Sequence, residues 1–120
     1  MITIKYVPRE QIRNNGVGDY FYDGDNLTIL VVDTGNVIYN EAIALHELIE
    51  AQITNHRGIK ETDIDKFDAW FLSKGLEGEP GDFGPYIKEH RFAENIERQY
   101  IHELNIDWKE YCYKIDNLDA

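Results

Sequence analysis

The sequence predicts an α+β fold: a small N-terminal β-sheet followed by three to four helices, the first of which packs on the sheet. Three observations predict it. Apolar residues alternate with polar ones at the N-terminus, at strand spacing. From about Asn40 onward they recur at helical spacing instead. And 120 residues make one ordinary domain, with no repeat or linker to divide 1–120.

Ile2, Ile4 and Tyr6 alternate with Thr3 and Lys5, which predicts a half-buried strand ending at Pro8. Residues 9–19 are polar, carry Gly16 and Gly18, and read as a loop. Tyr20 to Tyr22 reads as a short strand, Asp23-Gly24-Asp25-Asn26 as a turn, and Leu27 to Val32 as a strand apolar enough for burial on both faces. After a second turn at 33–36, Asn40 is placed to cap a helix with Glu41 in its first turn. That helix runs to about Arg57 and stops at Gly58. Thr62 or Asp63 opens a second helix carrying Ile64, Phe67, Trp70 and Phe71. Residues 74–86 (KGLEGEPGDFGPY) hold four Gly and two Pro and form a loop, of the length at which loops are often functional. A third helix covers about Ile87 to Leu104. A short last one starts at Asp107 and includes Trp108, Tyr111 and Ile115.

Composition narrows the function. Hydrophobic residues are 42% of the chain, with 8 Tyr, 5 Phe and 2 Trp, enough for a core. The formal charge of -11, from 23 acids and 12 bases, argues against nucleic-acid binding, which needs clustered Lys and Arg, and against an anionic membrane. It suits a cation binder or a protein that docks on a basic partner. No window approaches a membrane span, and MITIKYVPRE lacks the apolar run of a signal peptide, so the expected location is the cytoplasm. Cys112 is the single cysteine, which leaves no intramolecular disulfide, and it reads as a packing residue.

Chemistry concentrates in ALHELIEA. At about 100° per residue, Glu50 falls about 40° from His46, one turn further along the same helix face. Ala42, Ile43, Ile49 and Ile53 flank the pair, so an imidazole and a carboxylate project from an apolar stripe. A buried carboxylate without a partner costs several kcal/mol. The i, i+4 spacing suits two ligands on one metal ion, and Glu47, about 100° round, is within reach of a water on that ion. The same residues would also serve as a core polar network, His46 and Glu50 bonding each other or pairing with Arg91 or Arg98.

His46-Glu47-Leu48-Ile49-Glu50 resembles the zincin motif H-E-x-x-H, with Glu in place of the second His. In zincins the first and last motif residues hold zinc and the Glu beside the first His is the general base. The resemblance therefore implies zinc on His46 and Glu50, with Glu47 as the catalytic base. The strand at 27–32, the turn and the motif helix follow one another as that resemblance requires. The chain is also similar to a group of short uncharacterised bacteriophage proteins that share an H-E-[LIV]-x-E-A helix, a Gly-Pro-rich loop with E-P-G-D, then P-Y-x-x-E-H and I-E-R. Here these are His46 to Ala51, Glu79 to Asp82, Pro85 to His90 and Ile96 to Arg98. This likeness implies a phage-encoded metal protein in the host cytoplasm, and it names no substrate. Glu50 departs from the zincin pattern. A carboxylate is an accepted zinc ligand, so the resemblance carries metal binding further than it carries peptidase activity.

A third ligand is required, and His90 on the third helix is the best candidate. Glu94 lies at i+4 from it and Glu97 at i+7; either can be a fourth ligand or can orient His90, and Glu97 sits nearer the apolar arc. His56, at the end of the first helix, suits the helix C-terminus better than a metal, and His102 lies on the far side of the third helix. Glu77, Glu79 and Asp82 match no EF-hand and read as a solvated loop. Tyr20, Tyr22 and Tyr86 read as packing residues. The expected cofactor is zinc, with iron or manganese suited to the same donors. Two expectations follow: a metal-dependent amide or peptide hydrolase, or a non-catalytic acidic accessory protein that binds a basic host or phage partner. A DNA-mimicking or virion component is suggested by charge alone.

Overall fold

The computed structural model describes residues 1–13, 16–74 and 87–118. Strands β1 (Ile2–Val7), β2 (Gly18–Asp23) and β3 (Asn26–Val32) are followed by helices α1 (Val37–His56), α2 (Glu61–Ser73), α3 (Ile87–Glu103) and α4 (Trp108–Asp116). The fold is α+β, as predicted. The loop read at 74–86, with Glu77, Glu79, Asp82 and Tyr86, lies outside the described residues apart from Lys74.

The sheet has the order β1-β3-β2. β2 and β3 form the expected hairpin, paired antiparallel from Gly18↔Val31 to Asp23↔Asn26, and the turn between them uses Gly24 at φ +61°. β2 begins at Gly18, two residues before the strand read from the aromatic run. β1 runs parallel to β3 in the register Ile2↔Leu27 to Val7↔Val32. Partners in adjacent strands share a face, so Ile2, Ile4 and Tyr6 lie on the side of Leu27, Ile29 and Val31. The latter are buried, yet Ile2, Ile4 and Tyr6 remain 50%, 43% and 47% exposed. The reason is coverage: α1 packs on β2 and β3, and β1 is an edge outside its main footprint. On the other face of β3, Thr28 and Leu30 are only half-buried and burial is reached only at Val32.

α1 begins at Val37, capped by Asn36, whose side chain accepts from the amides of Ile38 and Tyr39. The cap expected at Asn40 is corrected: Asn40 is inside the helix, where its buried amide accepts from Thr34 and donates to Asp33, tying the β3–α1 turn to the helix. The far end is as expected. Gly58 takes φ +71°, and Ile59 N–H to Thr54 O (3.0 Å) with Gly58 N–H to Asn55 O (3.1 Å) close a Schellman motif.

Tyr22 donates to the carbonyl oxygen of Ala51 (3.1 Å) and Tyr20 lies 3.4 Å from Thr54 Oγ1. Both tyrosines thus fasten β2 to α1. α3 packs along α1, and the cross-pairs His46–Glu97, Glu50–His90 and Arg57–Glu89 show that the two run antiparallel. α4, capped by Asp107 through the Glu110 amide, turns back on α3. It inserts Tyr111, which has no exposed surface, edge-on to Tyr39 with ring centroids 5.0 Å apart. Cys112 packs against this core. α2 contributes Ile64 to the buried set, while Phe67, Trp70 and Phe71 stack among themselves. No helix among the described residues is long and apolar enough to cross a membrane.

Candidate metal centre

The antiparallel α1–α3 contact brings together residues that are far apart in the chain. On α1, His46 and Glu50 lie one turn apart on the buried face, 8% and 6% exposed. α3 faces them with His90 at its N-terminal end and Glu97 two turns further along. His46 Nε2, Glu50 Oε2 and His90 Nδ1 form a small triangle: His46–Glu50 3.0 Å, His46–His90 3.3 Å and His90–Glu50 3.0 Å. Among the described residues these three form the one group whose ligand atoms converge in this way.

The other nitrogen of His46 is used too. Nδ1 lies 2.6 Å from Glu97 Oε1, and the second oxygen of Glu97 accepts a short hydrogen bond from the Tyr111 hydroxyl. Glu97 is therefore one layer out from the triangle, behind His46 rather than behind His90 as expected, because its place two turns along the antiparallel α3 sets it opposite His46. Glu94, the alternative residue on α3, is half-buried and outside the convergent group. His56 and His102 are both exposed. Arg98, named above as a partner for the cluster, lies over the Trp108 ring instead. The polar bonding foreseen between His46 and Glu50 is present, and Glu97 is the further partner of His46.

Glu47 projects toward β2. A Cβ on Gly18 would lie 2.6 Å from Glu47 Oε1 and 2.7 Å from its Cγ. The strand backbone thus occupies the space beside this carboxyl, and only glycine leaves room for it. Neither Gly18 nor Tyr111 was singled out as a site residue. The signal for Tyr111 is general: a buried tyrosine hydroxyl requires a partner. The signal for Gly18 is a glycine inside what proves to be a strand.

Electrostatics follow from burial. Burial alone would lower the pKa of His46, but the Glu50 and Glu97 carboxylates on its two nitrogens outweigh this and raise it well above 6.5. For Glu50, burial pushes upward, yet hydrogen bonds from His46 and His90 hold it down at about 2. Glu47 has no such bonds. Burial, then the charge of Glu50, push it up to about 8, so at neutral pH in the metal-free chain it is largely protonated. Burial beside Glu97 raises the Tyr111 hydroxyl too, which keeps it a donor.

The donor set can be tested against a metal on geometry. Tetrahedral zinc with bonds of about 2.0–2.1 Å sets its ligand atoms about 3.3–3.4 Å apart. The triangle is within a few tenths of an ångström of that spacing, and its donors, two imidazoles and one carboxylate, are the types zinc, iron and manganese take. The residues fit the ion. No family model, curated protein or solved structure matches the chain.

Proposed function

We propose that this chain is a zincin-like metal-binding protein, phage-encoded as its motifs suggest, that holds one divalent transition metal, zinc foremost, on His46, Glu50 and His90. The observation that carries the reading is the triangle of Nε2, Oε2 and Nδ1 atoms with sides of 3.0, 3.3 and 3.0 Å. Its energetic support is that several ionisable groups in one buried cluster are costly unless something compensates them.

The same geometry supports hydrolysis of an amide or peptide bond. Structural zinc sites close with four protein ligands, whereas catalytic ones keep three and an open position; three donors converge here among the described residues. The His90 side chain is 29% exposed, so one side of the site meets solvent. A bound zinc supplies a water of lowered pKa and polarises a carbonyl. The chain's own part falls to Glu47, seated against Gly18 beside the metal-binding pair, which takes a proton and returns it to the leaving amine.

A second reading is favoured by one observation: the cluster ties α1, α3 and, through Tyr111, α4 together. A metal there would brace the fold of a non-catalytic accessory protein whose acidic surface docks on a basic partner.

The test is elemental analysis of untagged protein beside the His46→Ala/His90→Ala double variant. About one metal ion per chain, lost in the variant, supports the site. A metal-free protein whose variant is merely less stable overturns it. Glu47→Gln then separates the two readings. Abolished turnover with metal retained supports hydrolysis; retained turnover removes Glu47 as the base, and an absence of hydrolysis across peptide and amide libraries favours the accessory protein.

A further inference from the structure

Tyr111 sits on α4, outside every ligand candidate, and its hydroxyl ends on the carboxylate that bonds His46. We infer that Tyr111 is a positioning residue for the metal site: through Glu97 it sets which nitrogen of His46 is offered to the ion and holds Glu97 itself back from binding. The inference rests on the metal reading above.

The geometry carries it. Glu97 has two oxygens, and both are engaged. Oε1 faces His46 Nδ1 at 2.6 Å, and Oε2 accepts from Tyr111. With Nε2 turned to the ion, the one proton of a neutral His46 ring lies on Nδ1, which faces Glu97 Oε1 and donates to it. A neutral imidazole protonated at Nδ1 has its lone pair on Nε2, and Nε2 is the atom in the triangle with Glu50 and His90. Glu97 is 6% exposed and has no bulk water to replace a lost partner readily. Without the Tyr111 hydroxyl, one oxygen of a buried carboxylate loses its donor, and an ion across the His46 ring becomes a competing partner for it. Tyr111 thereby keeps the protein ligands at three.

The position of Tyr111 also separates this role from packing. Its ring is held by Tyr39 and Trp108, at centroid distances of 5.0 and 5.3 Å. Tyr111→Phe keeps the ring and removes the hydroxyl alone.

The experiment measures the affinity of wild type, Tyr111→Phe, Glu97→Ala and the double variant for Zn²⁺ by chelator competition, and records the visible spectrum of each Co²⁺ form. Loss of an outer partner of a metal-bound histidine costs about 10–100-fold in affinity. The expected result is a shifted Co²⁺ spectrum in Tyr111→Phe as Glu97 leaves His46 Nδ1 for the ion, a Zn²⁺ affinity changed by up to that factor, and no further change from Tyr111→Phe once Glu97 is alanine. Wild-type affinity and spectrum in Tyr111→Phe overturn the inference, even if its melting temperature falls, because that is a packing role. So does an equal loss in both backgrounds. Wild type that binds neither ion overturns the metal reading itself, a result distinct from both. Nitrogen NMR of the wild-type zinc form gives a check that needs no variant: His46 protonated at Nδ1 and metal-bound at Nε2 is expected, and the reverse overturns the inference.

Discussion

Gly18→Ala is a change of one methyl group on a strand, yet its cost is set by a side chain on the facing helix. The added Cβ would stand 2.6 Å from Glu47 Oε1, 2.7 Å from Cγ and 2.9 Å from Cδ, where ordinary contact begins at 3.4 Å. An oxygen at the tip of a side chain can swing away, but Cγ moves only if χ1 leaves its well, at about 0.5–1.5 kcal/mol. Overpacking of this kind costs about 1–3 kcal/mol. The backbone at Gly18 is not in the left-handed region, so alanine also restricts the unfolded chain and returns about 0.4–1 kcal/mol. The wild-type background therefore shows a net loss. In a Glu47→Ala background the obstacle is gone and the same substitution becomes neutral or stabilising by about 0.4–1 kcal/mol. Urea unfolding of the four proteins in chelator gives the cycle, with a coupling energy of about 1–3 kcal/mol expected. Losses that agree to within about 0.5 kcal/mol in both backgrounds would show that Gly18 is not there for Glu47.

Two further outcomes follow from the site. Zinc at about a thousand times its dissociation constant stabilises by about 4 kcal/mol, which for a chain of this length is a rise of about 12–20 °C in melting temperature; His90→Ala should lose most of that rise and His102→Ala none of it. Stability of the metal-free protein should decline from pH 6.5 to 8. His46, raised above 6.5, stabilises fully below that pH and loses its contribution as pH climbs through its folded value, and Glu47, raised from 4.5 to about 8, penalises the fold progressively over that interval. Glu50, held at about 2, contributes above 4.5 and loses its contribution as pH falls toward 2, so the melting curve should fall off on the acid side as well. Melting temperatures in chelator across pH 3–9 test both limbs, and a rise between 6.5 and 8 would contradict the first.

Local chemistry was legible where one element decides it. The hairpin at Gly24, the end of α1 at Gly58, the span of α3 and the start of α4 at Asp107 are all readable from the residues in place. So is the alignment of His46 with Glu50, because i, i+4 geometry belongs to one helix. Glu97 was preferred over Glu94 from its angle on the apolar arc, and it is the one of the two that is buried. What failed depended on the neighbouring layer. Asn40 has the chemistry of a cap, but Asn36 can reach the same first-turn amides, and the turn at Thr34 claims Asn40 instead. Ile2, Ile4 and Tyr6 have the period of a half-buried strand, but period cannot say whether a helix lies over an edge. Tyr111 is legible as a residue of the last helix. Its hydroxyl partner, on another helix, leaves no trace in any local pattern.

The protons of the cluster make a last prediction, and it joins the electrostatics to the proposed ion. In the metal-free chain at pH 7, Glu50 sits as an anion on a protonated His46, while Glu47, at about 8, keeps its proton. A dication on His46, Glu50 and His90 requires the Nε2 proton of His46 to leave, because a metal binds the lone pair. Its field also opposes the proton on Glu47, whose burial beside anions was the reason for keeping it. If both leave, two positive charges are replaced by one dication, so the exchange adds no net charge to the buried cluster. About two protons should therefore be released per ion at pH 7, falling toward one above pH 8 as Glu47 ionises beforehand. Calorimetric titration with zinc in buffers of different ionisation enthalpy counts them directly. Glu47→Gln should lower the count at pH 7 by about one while leaving the stoichiometry of metal unchanged. A count near zero at pH 7 would mean that His46 is already neutral before the metal arrives, and the reasoning from its two carboxylate partners would fail.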